Sequence, residues 1–451
     1  MSASVNRSVE SCMKVCSFVL ALGLLVVGPP ARAQRLVIDV GGANFRPFPV
    51  AAPGLATGTD DSADTRRVAH DLTALLQGGI TLARSLELVP VRTYLDPERE
   101  AWNKPVYPNW VNVGASGLVR GTLVLKDGKA QLALKFYDVV AQREALSRTY
   151  SVAATAGATA IYQFLDELIL LLTGEPGIFS SQLAYVKKTR DGKAVFVADV
   201  DGRNERRVSD ERGMALLPRW DRTGAALFFT SYLKGNPDLY RLGLADTKLE
   251  ALSHQRGIHT GAAVSPDGKR IALTLSKDGN TEIYVMNADG SGIKRLTESL
   301  GQDMSPSWSP DGKRIAFVSS RSGAPHIYLM NADGSGQRRL TFQGNYNQEP
   351  NWSPRPDGQI AFTARDERLK FDIFLVHPDS GAITRLTQDE GNNESPSHSP
   401  DGYQLVFVST RPPHSGRKLY VMDIDGSNQE RVSRTPGDYE TPSWGPRLGW
   451  K

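Results

Sequence analysis

One short pattern recurs six times in this chain and constrains its fold more than any other feature. An anchor residue recurs at intervals of 44, 44, 44, 46 and 46 residues, at Trp220, Val264, Trp308, Trp352, His398 and Trp444. Two residues before the anchors stand Pro218, Ala262, Pro306, Pro350, Pro396 and Pro442. A period of about 40–45 residues without a helical pattern is typical of β-propeller blades, each built of four strands.

The residues that follow the anchor predict a tight turn and then a buried strand. Three repeats continue with Ser-Pro-Asp-Gly, at residues 265–268, 309–312 and 399–402. Proline presets φ at the second turn position and glycine accepts the positive φ that follows, so the chain reverses tightly. The nearly continuous apolar run at residues 314–319 is expected of a strand whose two faces are covered by neighbouring blades.

The phase of the repeats predicts how the ring closes. The series opens near Leu183 with the second strand of a blade and ends at Trp444 with a first strand. We therefore expect residues 441–444 to supply the innermost strand of the blade that begins at Leu183. This predicts an all-β, six-bladed β-propeller over residues 176–451.

Residues 34–175 lack the period and predict an α/β N-terminal domain. Residues 36–40 are typical of a strand. Residues 64–76 are typical of a helix that Ser62 caps and that Gly78-Gly79 ends.

Two further elements are expected before the propeller. The sequence Lys-Asp-Gly-Lys at residues 126–129 predicts a hairpin between strands at residues 121–125 and 131–137. Residues 158–172 predict an apolar helix, stopped by Gly174 and Pro176.

The first 33 residues have the features of a secretory signal peptide. Arg7 and Lys14 precede an apolar run of ten residues at 18–27, and Ala31 and Ala33 are the small residues before the cut. The alternative is a transmembrane anchor, but this run spans only about half of a ~30 Å hydrocarbon core. We therefore expect cleavage after Ala33 and a soluble exported protein, not inserted in a membrane, that begins at Gln34.

Composition argues against several classes of function. Both cysteines, Cys12 and Cys16, lie in the predicted signal peptide, so neither a disulfide nor a lipid-bearing cysteine is expected in the mature chain. A formal net charge of +4 over 451 residues gives no reason to expect a nucleic-acid partner. The seven histidines form no His-x-His or His-x-x-x-His pair, so we expect no metal site.

Residues at the expected mature start and at the domain junction match a known family. They are Arg35-Leu-Val-Ile-Asp39, Leu172-Thr-Gly174, Gly177, Phe179 and Ala184-Tyr-Val186. With the six repeats and the signal peptide, they make the chain resemble the TolB family of the Tol-Pal envelope system. The resemblance implies a non-catalytic periplasmic scaffold, without cofactors and expected to be a monomer, that joins the lipoprotein Pal to the inner-membrane TolA complex.

The resemblance implies that the extreme N-terminus engages TolA. The residues concerned are Gln34, Arg35, Leu36, Val37, Ile38 and Asp39. An extended apolar segment followed by flexible Gly41-Gly42 is suited to adding a strand to another protein's sheet edge. The alternative is that these residues form the first strand of the α/β domain itself.

The resemblance also implies that Pal binds at the funnel mouth, where a loop enters each innermost strand. The candidate residues there are His259, Thr260, Asp303, Met304, Ser305, Asn347, Glu349, Asn393, Glu394, Tyr439 and Glu440. We expect Asp303, Glu349, Glu394 and Glu440 to place acidic groups of four successive blades around one opening. Such a ring favours a basic partner surface, although a solvated loop ring is the alternative.

Three other interpretations compete with the scaffold. Asp199-Val-Asp-Gly202 and Asp423-Ile-Asp-Gly426 resemble the opening of a calcium loop, but they lack the further ligands, so hairpin turns are expected. No Gly-x-Ser-x-Gly elbow occurs, which argues against an α/β-hydrolase. An envelope hydrolase or lyase with its site on the propeller axis is the second alternative. A glycan-binding propeller is a third, although tryptophans that recur at one phase favour packing between blades.

Overall fold

The computed structural model of this chain describes residues 45–58, 62–95, 101–210, 214–253, 255–365, 367–388 and 390–449. The predicted signal peptide, the strand at residues 36–40 and the segment from Gln34 to Asp39 all lie outside the described residues.

The N-terminal region is an α/β domain built on one mixed sheet. Its strands are β1 (Phe48–Ala51), β2 (Ala56–Thr57), β3 (Leu86–Leu88), β4 (Gly117–Lys126), β5 (Lys129–Asp138) and β6 (Arg143–Ala153). Their order is β3-β1-β4-β5-β6, with β2 also paired to β4. Pairs that involve β1 or β2 are parallel, whereas β4, β5 and β6 pair antiparallel as a meander.

Three helices accompany the sheet: α1 (Ala63–Leu82), α2 (Tyr107–Asn112) and α3 (Gly157–Thr173). Short 3-10 turns occur at Val91–Thr93 and Ala154–Ala156. Helices α1 and α3 pack together in the main core of the domain, whereas Trp110 of α2 belongs to a separate cluster with Leu118 and Tyr137.

Helix α1 begins as predicted but ends later than predicted. Ser62 is the N-cap and its hydroxyl accepts a hydrogen bond from the Thr65 amide at 3.2 Å. The prediction that Gly78-Gly79 ends the helix is wrong. The helix continues to Leu82 because Ile80 and Leu82 are buried in the core, and this packing outweighs the cost of about 1 kcal/mol for each helical glycine.

The predicted hairpin and the helix predicted at residues 158–172 are confirmed. Asp127 and Gly128 turn between β4 and β5 with φ of 51° and 72°, the backbone of a type I′ turn. Helix α3 ends at Gly174, which has φ of 84° and donates its amide to the Leu170 carbonyl. The stretch Ala154–Thr173 has the length and apolarity of a membrane span, but 56% of it is buried inside the protein, as in a core helix.

The propeller has six blades of four antiparallel strands. Blade 6 is formed by β7 (Gln182–Lys188), β8 (Lys193–Asp199) and β9 (Arg206–Arg207) together with the last strand of the chain. Blade 1 consists of β10 (Ala215–Trp220), β11 (Ala226–Ser231), β12 (Asp238–Gly243) and β13 (Leu249–Ser253). Blade 2 consists of β14 (His259–Val264), β15 (Arg270–Leu275), β16 (Glu282–Asn287) and β17 (Lys294–Arg295).

The next three blades repeat this arrangement. Blade 3 consists of β18 (Asp303–Trp308), β19 (Arg314–Ser319), β20 (His326–Asn331) and β21 (Arg338–Arg339). Blade 4 consists of β22 (Asn347–Trp352), β23 (Ile360–Arg365), β24 (Phe371–Val376) and β25 (Ile383–Arg385). Blade 5 consists of β26 (Asn393–His398), β27 (Gln404–Ser409), β28 (Lys418–Asp423) and β29 (Glu430–Arg431).

The ring closes by the predicted clasp. Strand β30 (Tyr439–Trp444) pairs with β7, with Tyr439 opposite Lys187 and Trp444 opposite Leu183. The C-terminal strand therefore completes the blade that the chain began before it entered blade 1. The predicted fold class, an α/β domain followed by a six-bladed propeller, is confirmed.

The N-terminal domain packs on the face of the propeller that carries the tight turns. The Gln404 side-chain amide donates to the Leu82 carbonyl at 2.7 Å, and the Asn428 amide donates to the Thr81 carbonyl at 3.2 Å. Gln404 begins the strand that follows the Ser-Pro-Asp-Gly turn of blade 5. Because each innermost strand runs from the mouth towards such a turn, this contact leaves the mouth on the opposite face of the ring.

Candidate functional site

The mouth is bordered by the first residues of the six innermost strands, and these residues point into the blades. His259, Asp303, Asn347, Asn393 and Tyr439 are each at most 2% exposed. The prediction that their side chains border the opening, with Asp303 in an acidic ring, is therefore wrong. Each of these strands begins opposite the end, or the residue before the end, of a neighbouring strand, so its first side chain is covered.

These buried side chains are tied into polar networks within blades and between neighbouring blades. The Arg321 guanidinium donates to the Asp303 carboxylate at 2.6 Å, and the side-chain amide nitrogen of Asn347 lies 3.1 Å from His326 Nδ1. The Asn393 amide donates to Asp372 at 2.9 Å. Such groups hold the strand entrances in place, because a buried polar group left unpaired costs about 1–3 kcal/mol.

The networks also assign a role to the Leu-Thr sequence that ends blades 2, 3 and 4, at residues 296–297, 340–341 and 386–387. The Thr297 hydroxyl donates to Glu282 at 2.6 Å and accepts from the Ile283 amide at 3.0 Å. Burial acts to raise the pKa of Glu282, but the hydrogen bonds from Thr297 and the Ser299 amide hold it below its usual value. Burial raises the pKa of Asp303 nearby.

Two of the predicted carboxylates do reach the rim, on neighbouring blades. Glu394 and Glu440 keep 20% and 18% of their side chains exposed and share Arg417, at 3.8 and 3.2 Å. Lys193 forms a second ion pair with Glu440, at 2.5 Å. Burial raises the pKa of Glu394, and the Arg417 charge opposes that rise. This side of the mouth is therefore a mixed-charge cluster in place of the expected acidic ring.

The third residue of every innermost strand is held in the left-handed region of φ. The six residues are Leu217, Gly261, Ser305, Glu349, Ser395 and Thr441, with φ between 44° and 65°. Each of these residues lies in a β-bulge, where one extra residue shifts the pairing register with the neighbouring strand. All six residues line the channel. Only Gly261 signals this conformation in the sequence, so the bulge could not be predicted from the other five.

Glu349 lines the channel with its carboxylate already engaged. It accepts hydrogen bonds from the Ser395 amide, the Ser395 hydroxyl and the Thr363 hydroxyl, each at 2.9 Å. Its carboxylate therefore links blades 4 and 5 below the mouth. This position differs from the rim on which the sequence had placed it.

The channel along the propeller axis is a cavity of about 810 Å³. The anchor residues of all six blades line it, with Trp220, Trp308, Trp352 and Trp444 at 6–7% exposure. The Trp220 indole donates to the Ser443 carbonyl at 3.1 Å, and the Trp308 indole to the Ala263 carbonyl at 3.0 Å, in each case across a blade boundary. The prediction that the tryptophans pack between blades is confirmed.

Exposed apolar side chains, which the sequence pattern did not predict, lie on the other side of the mouth. Leu300 and Phe342 stand in the loops that lead into β18 and β22, and Leu369 lies in the loop between β23 and β24. Leu300 is fully exposed, and Phe342 and Leu369 are 70% and 66% exposed. The only sequence signal was a large apolar residue in a short loop close to Gly301 or Gly344.

The calcium-like turns are hairpin turns, as predicted. The Gly202 amide donates to the Asp199 carbonyl at 2.8 Å, and the Gly426 amide donates to the Asp423 carbonyl at 2.9 Å. Within the described ranges, no group of three or more His, Cys, Asp or Glu side chains is placed to hold a metal ion.

The chain is similar to one family over both of its domains. A family model described as "TolB beta propeller domain" matches residues 170–448, and one described as "TolB amino-terminal domain" matches residues 36–145. A protein named "Tol-Pal system protein TolB" from Anaeromyxobacter dehalogenans (strain 2CP-C) is 40% identical over 259 residues, which is 57% of this chain and 58% of that one. One of the same name from Myxococcus xanthus is 42% identical over 221 residues, 48% of this chain and 50% of that one.

The matched stretches thus span between half and three fifths of the relatives' lengths. A solved structure described as TolB from Acinetobacter baumannii has the same fold, with a TM-score of 0.75 and 24% identity. That match covers 89% of this chain and 97% of the other.

Proposed function

This chain belongs to the TolB family of Tol-Pal system proteins, and we propose that it is a non-catalytic periplasmic scaffold that links Pal to the TolA complex. In this role it supports outer-membrane integrity and constriction during cell division. The names of its relatives support a place in the Tol-Pal envelope system. The observation that carries the proposal is the mouth face of the propeller, which combines exposed apolar groups with a charged cluster.

We place Pal on this mouth face. Leu300, Phe342 and Leu369 supply apolar anchors on the side of blades 2 to 4, and Glu394 and Glu440 supply a polar rim on blades 5 and 6. A protein-binding surface typically has apolar anchors inside a polar rim. The opposite face carries the N-terminal domain, so a partner at the mouth meets no obstacle from it.

The half-buried residues at the mouth complete the proposed surface. Thr260, Met304 and Ser305 are partly exposed there, next to the buried first residues of their strands. His259, Asp303, Asn347, Asn393 and Tyr439 support the surface from below, through their networks, and do not touch the partner.

Apolar-to-polar substitutions on the mouth test this placement. Replacing Leu300 and Phe342 by Ser should weaken binding of the soluble domain of Pal at least tenfold, because each exposed anchor contributes about 1–2 kcal/mol at an interface. Val140→Ser is the matched control, since Val140 is 75% exposed on the N-terminal domain. Isothermal titration calorimetry that gave the double variant and the control the same affinity would place Pal elsewhere.

We also propose that residues 34–39 form the TolA-binding segment, with Gln34 as the first residue after export. The family resemblance supports this, as does an extended apolar segment followed by two glycines. Removing these six residues should abolish TolA binding in a pulldown and leave the melting temperature nearly unchanged. A large drop in melting temperature would instead assign the segment to the sheet of the N-terminal domain.

Export is tested by mass spectrometry of the protein recovered from the periplasm. A mass that begins at Gln34, without an adduct, is the expected result. A retained Met1 or an attached lipid would refute cleavage after Ala33.

A further inference from the structure

Blade 1 departs from its five siblings at two positions that line the axial channel. At the fifth position of the innermost strand, blade 1 has Arg219, whereas its siblings have small or polar residues: Ala263, Ser307, Asn351, Ser397 and Ser443. Two residues after the anchor, blade 1 has Arg222, whereas its siblings have Pro266, Pro310, Pro354, Pro400 and Pro446. Packing of a repeated fold favours the repeated residue, so two arginines at these places need another explanation.

In three blades the side chain of the fifth residue accepts a hydrogen bond from the next blade, and Arg219 makes no such bond. The Ser307 hydroxyl accepts the Trp352 amide at 2.9 Å, Asn351 Oδ1 accepts the His398 amide at 2.8 Å, and the Ser397 hydroxyl accepts the Trp444 amide at 3.0 Å. Each of these bonds joins one blade to the next. Ser307, Asn351 and Ser397 therefore have a structural role that accounts for them.

Arg219 keeps most of its hydrogen-bonding capacity unused. Its Nη1 donates to the carbonyl of its own neighbour Pro218 at 2.8 Å. Across the described part of the chain, neither Arg219 nor Arg222 forms an ion pair. A guanidinium carries five N–H donors and stays protonated at neutral pH, so Arg219 is a cation with free donors inside the channel.

Blades 4 and 5 contribute two acceptor residues to the channel lining, Glu349 and His398. His398 is 6% exposed, and its Nδ1 lies 2.8 Å from Asn351 Oδ1, which places the ring proton on Nδ1 and leaves Nε2 as an acceptor. Nε2 has no hydrogen-bond partner among the described residues, but the atom is buried, so a ligand in the channel does not reach it. Burial lowers the pKa of His398 to about 3, so the ring is neutral at physiological pH. Glu349 acts on Arg219 electrostatically and is half-buried in the channel wall, so it is the acceptor open to a ligand.

The cavity has the size and lining of a small-molecule site. Its volume of about 810 Å³ lies within the range of about 300–1,000 Å³ that is usual for ligand pockets. Tryptophan and proline side chains supply apolar walls, and a few polar groups converge between them. Such a lining suits a compact organic molecule better than a bare inorganic ion.

We propose that the axial channel binds a small organic anion that also carries an O–H or N–H donor, of the hydroxy acid or amino acid class. Its carboxylate pairs with Arg219, and its donor group reaches the Glu349 carboxylate, which accepts three hydrogen bonds within the protein and has about one lone-pair site left. The Glu349 charge repels the carboxylate from blade 4 and so orients the ligand towards blade 1. This site is separate from the protein contacts proposed at the mouth.

Titration of the purified full chain with lactate, alanine and acetate tests the site. Calorimetry and tryptophan fluorescence should report saturable binding of lactate or alanine with a Kd on the order of 1 mM, as expected for ligands of so few atoms. Acetate lacks the donor group and should bind several-fold more weakly. Absence of saturable binding for all three compounds would overturn the proposal.

Substitutions to the residues of sibling blades locate the binding. Arg219→Ser installs the residue of blades 3, 5 and 6 and should weaken lactate and alanine binding at least tenfold. The exposed Arg190→Ser is the matched control and should leave binding unchanged. Glu349→Ala removes the acceptor and should remove the preference for lactate over acetate. Equal affinities for Arg219→Ser and Arg190→Ser, or an unchanged preference in Glu349→Ala, would refute the assignment.

Discussion

Arg84 of the N-terminal domain lies against two carboxylates of blade 5, with its Nη1 3.1 Å from Asp425 Oδ2 and 3.8 Å from Asp423 Oδ2. Both carboxylates belong to the turn Asp423-Ile-Asp-Gly426, which in the sequence resembles a calcium loop. In the structure, the turn presents its acidic groups to a guanidinium of the neighbouring domain. The resemblance to a metal loop therefore has its explanation in domain packing.

Arg84→Ala should destabilise the protein by about 1–3 kcal/mol, because it leaves the buried Asp423 without a nearby cation. Arg67→Ala is the control, since the Arg67 side chain is 71% exposed in its ion pair with Asp64 and should contribute little. Urea unfolding at pH 8 measures both variants. Equal unfolding midpoints would show that the Arg84 contact does not stabilise the domain interface.

Asp423 should make stability depend on pH near neutrality. Burial raises its pKa to about 7, although Arg84 and the Gln404 hydrogen bond oppose the rise. The folded state therefore retains a proton that the unfolded chain releases above about pH 4, so stability falls as the pH rises from about 4 to 7 and then levels off. Asp423→Asn should remove this fall and be more stable than the wild type at pH 8, by about 1 kcal/mol or more, but not at pH 4. Urea unfolding at the two pH values checks the sign, and an equal difference at both would contradict it.

The architecture of the propeller could be predicted because its determinants are local and repeated. The Ser-Pro-Asp-Gly turns, the apolar strands and the phase of Trp444 relative to Leu183 sufficed to predict six blades and their closure. The end of α1 could not be predicted, because it depends on tertiary burial of Ile80 and Leu82 and not on the local signal from Gly78 and Gly79.

The two adjacent glycines of α1 should respond in opposite directions to alanine. A Cβ at Gly79 would lie 2.4 Å from Leu165 Cδ1 in the core, so Gly79→Ala should destabilise the protein by about 1–3 kcal/mol through overpacking. A Cβ at Gly78 would meet nothing within 4 Å, so Gly78→Ala should stabilise the helix by up to about 1 kcal/mol. Thermal unfolding of the pair measures this, and a melting temperature raised in both variants would show that Leu165 moves aside at little cost.

The mouth was harder to predict than the fold, for a geometric reason. Sequence position locates the start of each innermost strand, but it does not show which side a side chain faces once a bulge is present. The bulge at Ser305 and its equivalents rotates the strand, so Asp303 enters the blade and Glu349 enters the channel. The exposure of Leu300 and Phe342 depends on loop conformations that no repeat signal specifies.

We expect Asp166 to stabilise the junction between α3 and β7, the first propeller strand along the chain. Its two carboxylate oxygens accept the amides of Phe179 and Ser180 at 2.9 and 2.8 Å, and the residue is fully buried. Gly177 allows this approach, because a Cβ there would lie 2.4 Å from Asp166 Oδ1.

Asp166→Asn presents an NH₂ group to one of those two amides and leaves a buried N–H without an acceptor, which should cost about 1–3 kcal/mol. Asp71→Asn is the matched control, because Asp71 is exposed on α1, and we expect it to change stability by less than about 0.5 kcal/mol. Chemical unfolding should show the loss in Asp166→Asn alone, and limited proteolysis should cut that variant faster between residues 174 and 181. Unfolding midpoints and cleavage rates that match those of Asp71→Asn would show that the junction is held by its apolar contacts, chiefly those of Ile178 and Phe179 with the core.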